Sequence, residues 1–147
     1  MKKDLLHLCK SIEICGQKIR VNPFNLCYPC ANMNVEELRE YCLCLKSTTE
    51  HFPFDDVSLV IKVQGKMFAL IPLDATTVSI SLKCDPERAI TLREQYPCVT
   101  AAYHFNKKHW NSVQIDDTIT KKQLFEWINH SYELVVAGLP KKQREQL

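Results

Sequence analysis

Aromatic, histidine and lysine side chains are concentrated in one segment, Tyr103-His-Phe-Asn-Lys-Lys-His-Trp-Asn-Ser112. The alternation that follows it predicts a strand in which Val113 points inward, so Trp110 is expected on the opposite, polar face with Ser112. An indole on a polar sheet face beside lysines is an arrangement with which proteins stack on single-stranded nucleic acid and follow its backbone. The residues of this predicted binding hairpin are Lys107, Lys108, His109 and Trp110.

Another hairpin, which comes earlier in the chain and is called the first hairpin, is predicted with lysines in the same position, so the hairpin that carries Lys107 and Lys108 is the second. The strand predicted from Val57 to Val63 is followed by a two-residue turn, Gln64-Gly65, and Lys62 and Lys66 flank that turn. Two lysine-tipped hairpins could each contact a stretch of the phosphate backbone of a nucleic acid. The alternative is that these lysines only keep the hairpin ends soluble, and that a β-bulge turns the indole of Trp110 inward.

The overall charge gives nucleic-acid binding little support. The 147 residues carry a formal net charge of +2 at pH 7. Residues 1–32 hold five basic and two acidic side chains, whereas residues 33–147 hold the remaining 14 basic and 15 acidic ones. Attraction to phosphate depends on positive charge. The composition therefore excludes a strongly basic nucleic-acid wrapper, and any binding must rely on the local lysines.

Residues 1–32 contain four of the eight cysteines, two of them in the CxxC pair Cys27-Tyr-Pro-Cys30. Such a pair occurs in redox proteins and as half of a zinc site. A redox pair should follow a strand and open a helix, but a stretch with Asn and Pro precedes this one, and Cys9-x5-Cys15 is an unusual spacing for zinc ligands. His104 and His109 bracket the second hairpin tip without an evident third ligand. We therefore expect free thiols, no metal and no cofactor.

Several other classes of function lack the motifs that they need. The chain has only three glycines, too few for a glycine-rich phosphate loop, and neither a GxSxG nor an HExxH motif is present. We therefore expect a protein that is not an enzyme. Charged residues interrupt the apolar residues near the N-terminus, and no apolar run reaches the length of a membrane span. The expected location is the cytoplasm, with no membrane partner.

The periodicity from Met33 onward predicts an α+β fold in two layers, one antiparallel sheet with helices on one face. The predicted order is α-β-β-β-α-β-β-α. Cys42 falls on the apolar stripe of the first helix and is therefore expected in the core. The predicted elements are a helix capped by Asn34, strands Val57–Val63, Lys66–Ile71 and Val78–Lys83, a helix from Asp85 to Pro97, strands Val99–Phe105 and Trp110–Asp116, and a helix from Thr120 to Gly138. The apolar stripe expected for this last helix is Phe125, Ile128, Tyr132, Val135 and Leu139.

Five ordered segments resemble those of a known family: Phe52-Pro-Phe54, Gly65-Lys-Met-Phe68, Leu82-Lys-Cys-Asp-Pro-Glu87, Tyr103-His-Phe-Asn-Lys-Lys-His-Trp-Asn111 and Ser131-Tyr-Glu-Leu-Val135. The family is MmcQ/YjbR, small bacterial proteins to which DNA binding through a double-wing motif is ascribed from their shape. The resemblance covers about Met33 to Leu147. It implies a compact domain related to the secretion-chaperone-like and frataxin-like folds, with the two hairpins as the wings. It implies no reaction. The binding positions that the resemblance carries over to this chain are Lys107, Lys108, His109 and Trp110.

Residues 1–32 lie outside this resemblance, so the chain divides into an N-terminal extension and a domain over residues 33–147. We expect the extension to be either sequence upstream of a true start at Met33 or an appendage. In the second case a short strand pair from Ser11 to Val21 is expected around Gly16.

The leading hypothesis is therefore a regulatory protein that binds nucleic acid, with DNA as the partner, through lysine-bearing hairpins. The alternative is a protein-interaction module, chaperone-like or adaptor-like, that uses the sheet face or the Phe52-Pro-Phe54 loop. This alternative suits the near-neutral charge better. A third hypothesis is a small-molecule or metal function.

Overall fold

The structure is a computed structural model that describes residues 10–14, 17–21 and 33–147. Two short strands, β1 (Lys10–Ile14) and β2 (Gln17–Val21), pair antiparallel with Ile14 opposite Gln17, in agreement with the strand pair expected around residue 16. The cysteines of residues 1–32 lie outside the described residues, so the expectations about them stay predictions.

Residues 33–147 are built on one six-stranded antiparallel sheet. In space the strands lie in the order β3-β4-β5-β6-β8-β7. The predicted α+β class with an antiparallel sheet is confirmed. The strands are β3 (Thr48–His51), β4 (Ser58–Val63), β5 (Lys66–Pro72), β6 (Ser79–Lys83), β7 (Val99–Ala101) and β8 (Trp110–Gln114).

The helices are α1 (Val35–Cys44), α2 (Pro86–Gln95), α3 (Lys121–Ala137) and the single turn α4 (Lys141–Arg144). Side chains at the predicted caps fix the first three starts, because they accept hydrogen bonds from backbone amides that have no partner within the helix. Asn34 Oδ1 accepts from the amide of Glu37 at 2.8 Å. Asp85 caps α2 in the same way, and Thr120 caps α3 through a capping box.

The core lies between the helices and one face of the sheet. Apolar residues of α1, α2 and α3 pack with the inward residues of the strands in one buried cluster. Ile80 and Leu82 of β6 belong to this cluster, so the alternating Ser79 and Ser81 face the opposite side of the sheet. Cys42 is fully buried, as predicted, and burial raises the pKa of its thiol to about 12.

Strand β3 and the packing of α3 differ from the prediction. Strand β3 was not predicted, because its residues are polar and half-exposed and it is stabilised by pairing with β4. In addition, α3 buries Leu124, Trp127 and Ser131 beside the predicted stripe. The Ser131 hydroxyl donates to Phe68 O at 2.5 Å and accepts from the Lys83 amide at 2.8 Å, so a polar residue joins α3 to two strands.

Candidate nucleic-acid interface

The first hairpin has the tight turn that the sequence predicts. Gln64 and Gly65 have φ values of +47° and +77°, and such left-handed backbone at both central residues matches the twist of the flanking strands. Val63 and Lys66 face each other across the turn. Lys66 is exposed and Lys62 is half-exposed on β4, so both lysines border the hairpin tip.

The second hairpin is wider than predicted. Strand β7 ends at Ala101 rather than Phe105, and residues 102–109 form a loop. The backbone oxygen of Asn106 accepts from the amides of His109 and Trp110, each at 3.0 Å, and its side chain accepts from the Lys108 amide at 3.0 Å. These bonds close a turn in place of a strand ladder. Tyr103, in this loop rather than in the predicted strand, is 85% exposed.

Trp110 is not available as an exposed stacking surface, and the expectation that it is exposed was wrong. Its ring stacks on Phe105, with ring centroids 4.7 Å apart and an interplanar angle of 25°, and only 9% of the residue is exposed. The alternation of β8 does place Trp110 on the face away from Val113, as predicted. The loop, rather than a β-bulge, covers the indole by folding Phe105 over it.

Arg93 on α2 fastens this loop, a role that the sequence analysis missed. Its Nε donates to Asn111 Oδ1 at 2.7 Å, while its Nη2 donates to the backbone oxygens of Lys107 and Trp110. Asn111 is buried and donates to Ala89 O at 3.3 Å. One sequence signal was available: an asparagine at an inward strand position needs a buried hydrogen-bond partner.

The register places both hairpin tips at the same end of the sheet. Ala69 of β5 lies opposite Leu82, and the next residue of β6, Lys83, lies opposite Trp110. The turn of the first hairpin and the loop of the second therefore project from the same end of the strands. Strand β3 also begins there, with Thr48 opposite Val63. We call this end of the sheet the lysine end. Its lysines are Lys46, Lys62, Lys66, Lys83, Lys107 and Lys108.

The opposite end of the sheet is acidic. The loops before β4, after β5 and after β8 carry Asp55, Asp56, Asp74, Asp116 and Asp117. We call this edge the aspartate end. The six residues of β4, at about 3.3 Å each, separate the two ends by about 20 Å. Because this exceeds the screening length of ~8 Å at physiological salt, a charged ligand at one end is largely shielded from the other.

Between described residues, no salt bridge involves a lysine of the lysine end. The basic residues of the salt bridges in this part of the chain are Arg39, Arg88, Lys121 and Lys141.

The structure describes no metal centre at the histidines. His104 packs edge-on against Tyr103, with centroids 4.8 Å apart, and His109 is half-exposed. Within the described ranges, no three His, Cys, Asp or Glu residues are grouped so that they could hold a metal ion. Among the helices that the structure describes, none has both the length and the apolar character needed to cross a membrane.

Comparison with known proteins identifies the family. A family model described as YjbR matches residues 43–134. The uncharacterized protein YjbR of Escherichia coli (strain K12) is 31% identical over 115 residues, which cover 78% of this chain and 98% of that protein. The chain belongs to the YjbR family. The resemblance drawn from the sequence motifs is thereby confirmed.

Solved structures of YjbR-like domains agree with the fold. The crystal structure of Deinococcus radiodurans protein DR2400 is similar to this chain with a TM-score of 0.72 and 39% identity, over 77% of this chain and 86% of that one. A Pseudomonas syringae protein is similar with a TM-score of 0.61 and 26% identity, over 69% and 98% of the two chains. The α+β architecture described above is therefore that of the family.

Proposed function

We propose that this YjbR-family protein binds DNA without catalysing a reaction, and that the lysine end holds the phosphate backbone. The observation that carries the proposal is the register of the sheet. It collects lysines from the two hairpins, β6 and the segment before β3 at one end of the strands, whereas the five aspartates of the aspartate end lie at the other. Among the described aspartates Asp85 is the exception, because it follows Lys83 at the lysine end, where its carboxylate caps α2. Phosphate contacts by lysine supply most of the affinity of non-specific nucleic-acid binding.

The spacing of the hairpins supports contact with one strand of DNA. Strands β5, β6 and β8 are consecutive neighbours. Two inter-strand spacings separate the hairpins by about 10 Å, close to the rise of three nucleotides along the axis of a DNA helix at about 3.4 Å each. Lys66 and Lys108 can thus reach different phosphates of the same strand.

Trp110 has a positioning role in this proposal. Since its indole is covered by Phe105, it supports the loop that presents Lys107 and Lys108. Lysine contacts to phosphate carry no sequence information, so the expected binding is similar for different sequences. The proposal places the protein in the cytoplasm, where the free thiols of Cys42, Cys84 and Cys98 remain reduced.

Fluorescence anisotropy with labelled duplex and single-stranded oligonucleotides at low salt tests this function. Lys66→Ala, Lys107→Ala and Lys108→Ala should each weaken binding by a similar factor on every sequence. The matched control is Lys122→Ala, an exposed lysine at the start of α3 beyond the aspartate end, which should leave affinity unchanged. Absence of binding to either form at low salt would refute the proposal, and an equal loss in Lys122→Ala would move the contact away from the lysine end.

One observation favours the second candidate, a protein-interaction module. Phe52 and Phe54, in the loop before β4, are 49% and 67% exposed. Exposed rings of this size are common where a protein partner binds. If this function is correct, a defined partner recovered after nuclease treatment should be lost in Phe54→Ser and retained in Lys108→Ala.

A further inference from the structure

The sheet face that the helices leave open carries a groove of about 540 Å³. Leu70, Ser81 and Ser112 form part of its floor and are cross-strand neighbours, with Leu70 opposite Ser81 and Ser81 opposite Ser112. Phe54, from the loop between β3 and β4, and Tyr103, from the loop between β7 and β8, also line it. The volume is within the range of small-molecule sites, about 300–1,000 Å³.

The groove combines apolar walls with two serine hydroxyls that no hydrogen bond of the described residues engages. Phe54 is 67% exposed and Tyr103 is 85% exposed, although both are large rings. Within the part of the chain that the structure describes, no hydrogen bond engages the hydroxyls of Ser81 or Ser112. A planar ligand could thus stack on the rings and exchange hydrogen bonds with the serines.

The charge of the groove distinguishes it from the lysine end. Among the described residues, its lining includes Asp55, Asp74 and His104 and contains neither lysine nor arginine. Asp55 accepts a hydrogen bond from the Val57 amide at 3.1 Å, and a hydrogen bond from the Ser58 hydroxyl holds the pKa of its carboxyl below the usual value. Both aspartates belong to the aspartate end, so this part of the groove attracts cations and repels phosphate.

We propose that the groove is a binding site for a small organic cation, an aromatic ring that bears a protonated amine. The ring packs against Phe54 and Tyr103, and the ammonium group lies by Asp55 and Asp74. Contact of the cation with an aromatic face adds to the attraction of the carboxylates. The ammonium group and the phosphate backbone of DNA are attracted to oppositely charged ends of the sheet, although the groove and the proposed DNA contact share the loop over residues 102–109.

An NMR titration with three probes of similar shape and different charge tests the ligand class. The probes are tryptamine, which is cationic, 3-methylindole, which is neutral, and indole-3-acetate, which is anionic. Tryptamine should shift the amide signals of Leu70, Ser81 and Ser112 saturably. It should bind about fivefold more tightly than 3-methylindole, a factor typical of an exposed ion pair, and indole-3-acetate should bind most weakly. Equal binding of all three probes, or preference for the anion, would overturn the proposal.

Substitutions then test the location of the site. Asp55→Asn combined with Asp74→Asn should abolish the preference for tryptamine over 3-methylindole, while Asp117→Asn, at the same end but outside the groove, should preserve it. Ser81→Phe should fill the groove and remove the binding of every probe. If Ser81→Phe does not fold, the aspartate variants still test the location of the site, because their changes lie in exposed loops. A cation preference unchanged in the double variant would contradict the proposal.

Discussion

Trp110 and Arg93 control the shape of the second hairpin from opposite sides. Trp110 stacks beneath Phe105 on the open face of the sheet. Arg93 reaches from α2 and binds the backbone of Lys107 and Trp110. Both act on the loop that carries Lys107 and Lys108, so the position of these lysines depends on side chains that need not touch DNA themselves.

Trp110→Ala should therefore destabilise the fold. Removing a buried indole leaves a cavity and costs about 3–5 kcal/mol in the free energy of unfolding, measured by urea denaturation. Lys108→Ala, on the exposed loop surface, should change that free energy by less than about 0.5 kcal/mol. A Trp110→Ala protein of unchanged stability and lowered DNA affinity would show instead that the indole is exposed and contacts DNA.

Arg93→Lys should loosen the loop although it keeps the charge. Lysine cannot reproduce the fork that binds Asn111 and two backbone oxygens, so a loss of about 1–3 kcal/mol in unfolding free energy is expected. Hydrogen exchange at the amides of His109 and Trp110 should become faster. Arg88→Lys is the matched control on the same helix, because its partner Glu126 is exposed and the pair is worth at most about 1 kcal/mol. Equal effects of the two substitutions would contradict the role of Arg93.

For individual residues, the sequence predicted that Lys107 and Lys108 are exposed, because a polar connection between strands lies at the surface. The sequence did not predict that Trp110 is buried. That burial depends on where the loop turns and on Arg93, which is 17 residues away from Trp110 in the chain. Alternation specifies which face a side chain occupies, but not which loop residue covers it.

The turn of the first hairpin shows how a local signal sets the geometry of a whole element. Gly65→Ala should cost about 1–2 kcal/mol, since a residue with a Cβ is strained at positive φ. A Cβ at Gly65 would meet no atom within 4 Å, so this cost is conformational and not a clash. Gln64→Asn should be neutral or slightly stabilising, because Asn tolerates left-handed backbone. Thermal unfolding measures both, and an unchanged Gly65→Ala protein would rule out this turn.

The junction of α3 with α2 should depend on pH. His130 Nε2 accepts from the amide of Asp85, the cap of α2, at 3.5 Å, and burial, with Arg88 nearby, lowers the pKa of His130. The unfolded chain therefore binds a proton at higher pH than the folded protein, and stability falls as the pH drops below about 6.5.

His130→Gln tests this dependence, because glutamine keeps an acceptor and does not titrate. Between pH 7.5 and 5.5, urea denaturation should show a smaller loss of stability in His130→Gln than in the wild-type protein. Parallel losses in the two proteins would exclude His130 as the titrating group.

Among the elements, those with strong local patterns could be predicted. Asn34, Asp85 and Thr120 marked the helix starts, and alternation located β4, β6 and β8. Strand β3 and the loop over residues 102–109 could not be predicted in this way. Both are determined by pairing and by contacts between distant parts of the chain, which local periodicity does not contain.

At the scale of the whole molecule, the near-neutral charge of residues 33–147 conceals a separation of charge. Both lysine-bearing hairpins could be predicted, but not that they share one end of the sheet. That fact depends on the strand order β5-β6-β8-β7, which is a property of the topology. The same topology collects five aspartates at the aspartate end, so the positive and negative charges of two separate regions cancel in the sum.

The salt dependence of DNA affinity is the most direct test of the proposed function. The measurement compares the wild-type protein with a variant in which Lys62, Lys66, Lys107 and Lys108 are all alanine, and with Lys122→Ala. Each lysine that contacts phosphate in duplex DNA contributes about 0.9 to the slope of log affinity against log salt. We expect the fourfold variant to lose up to about 3.6 of that slope and Lys122→Ala to retain all of it. A wild-type affinity that does not change with salt, or an unchanged slope in the fourfold variant, would contradict phosphate binding by the lysine end.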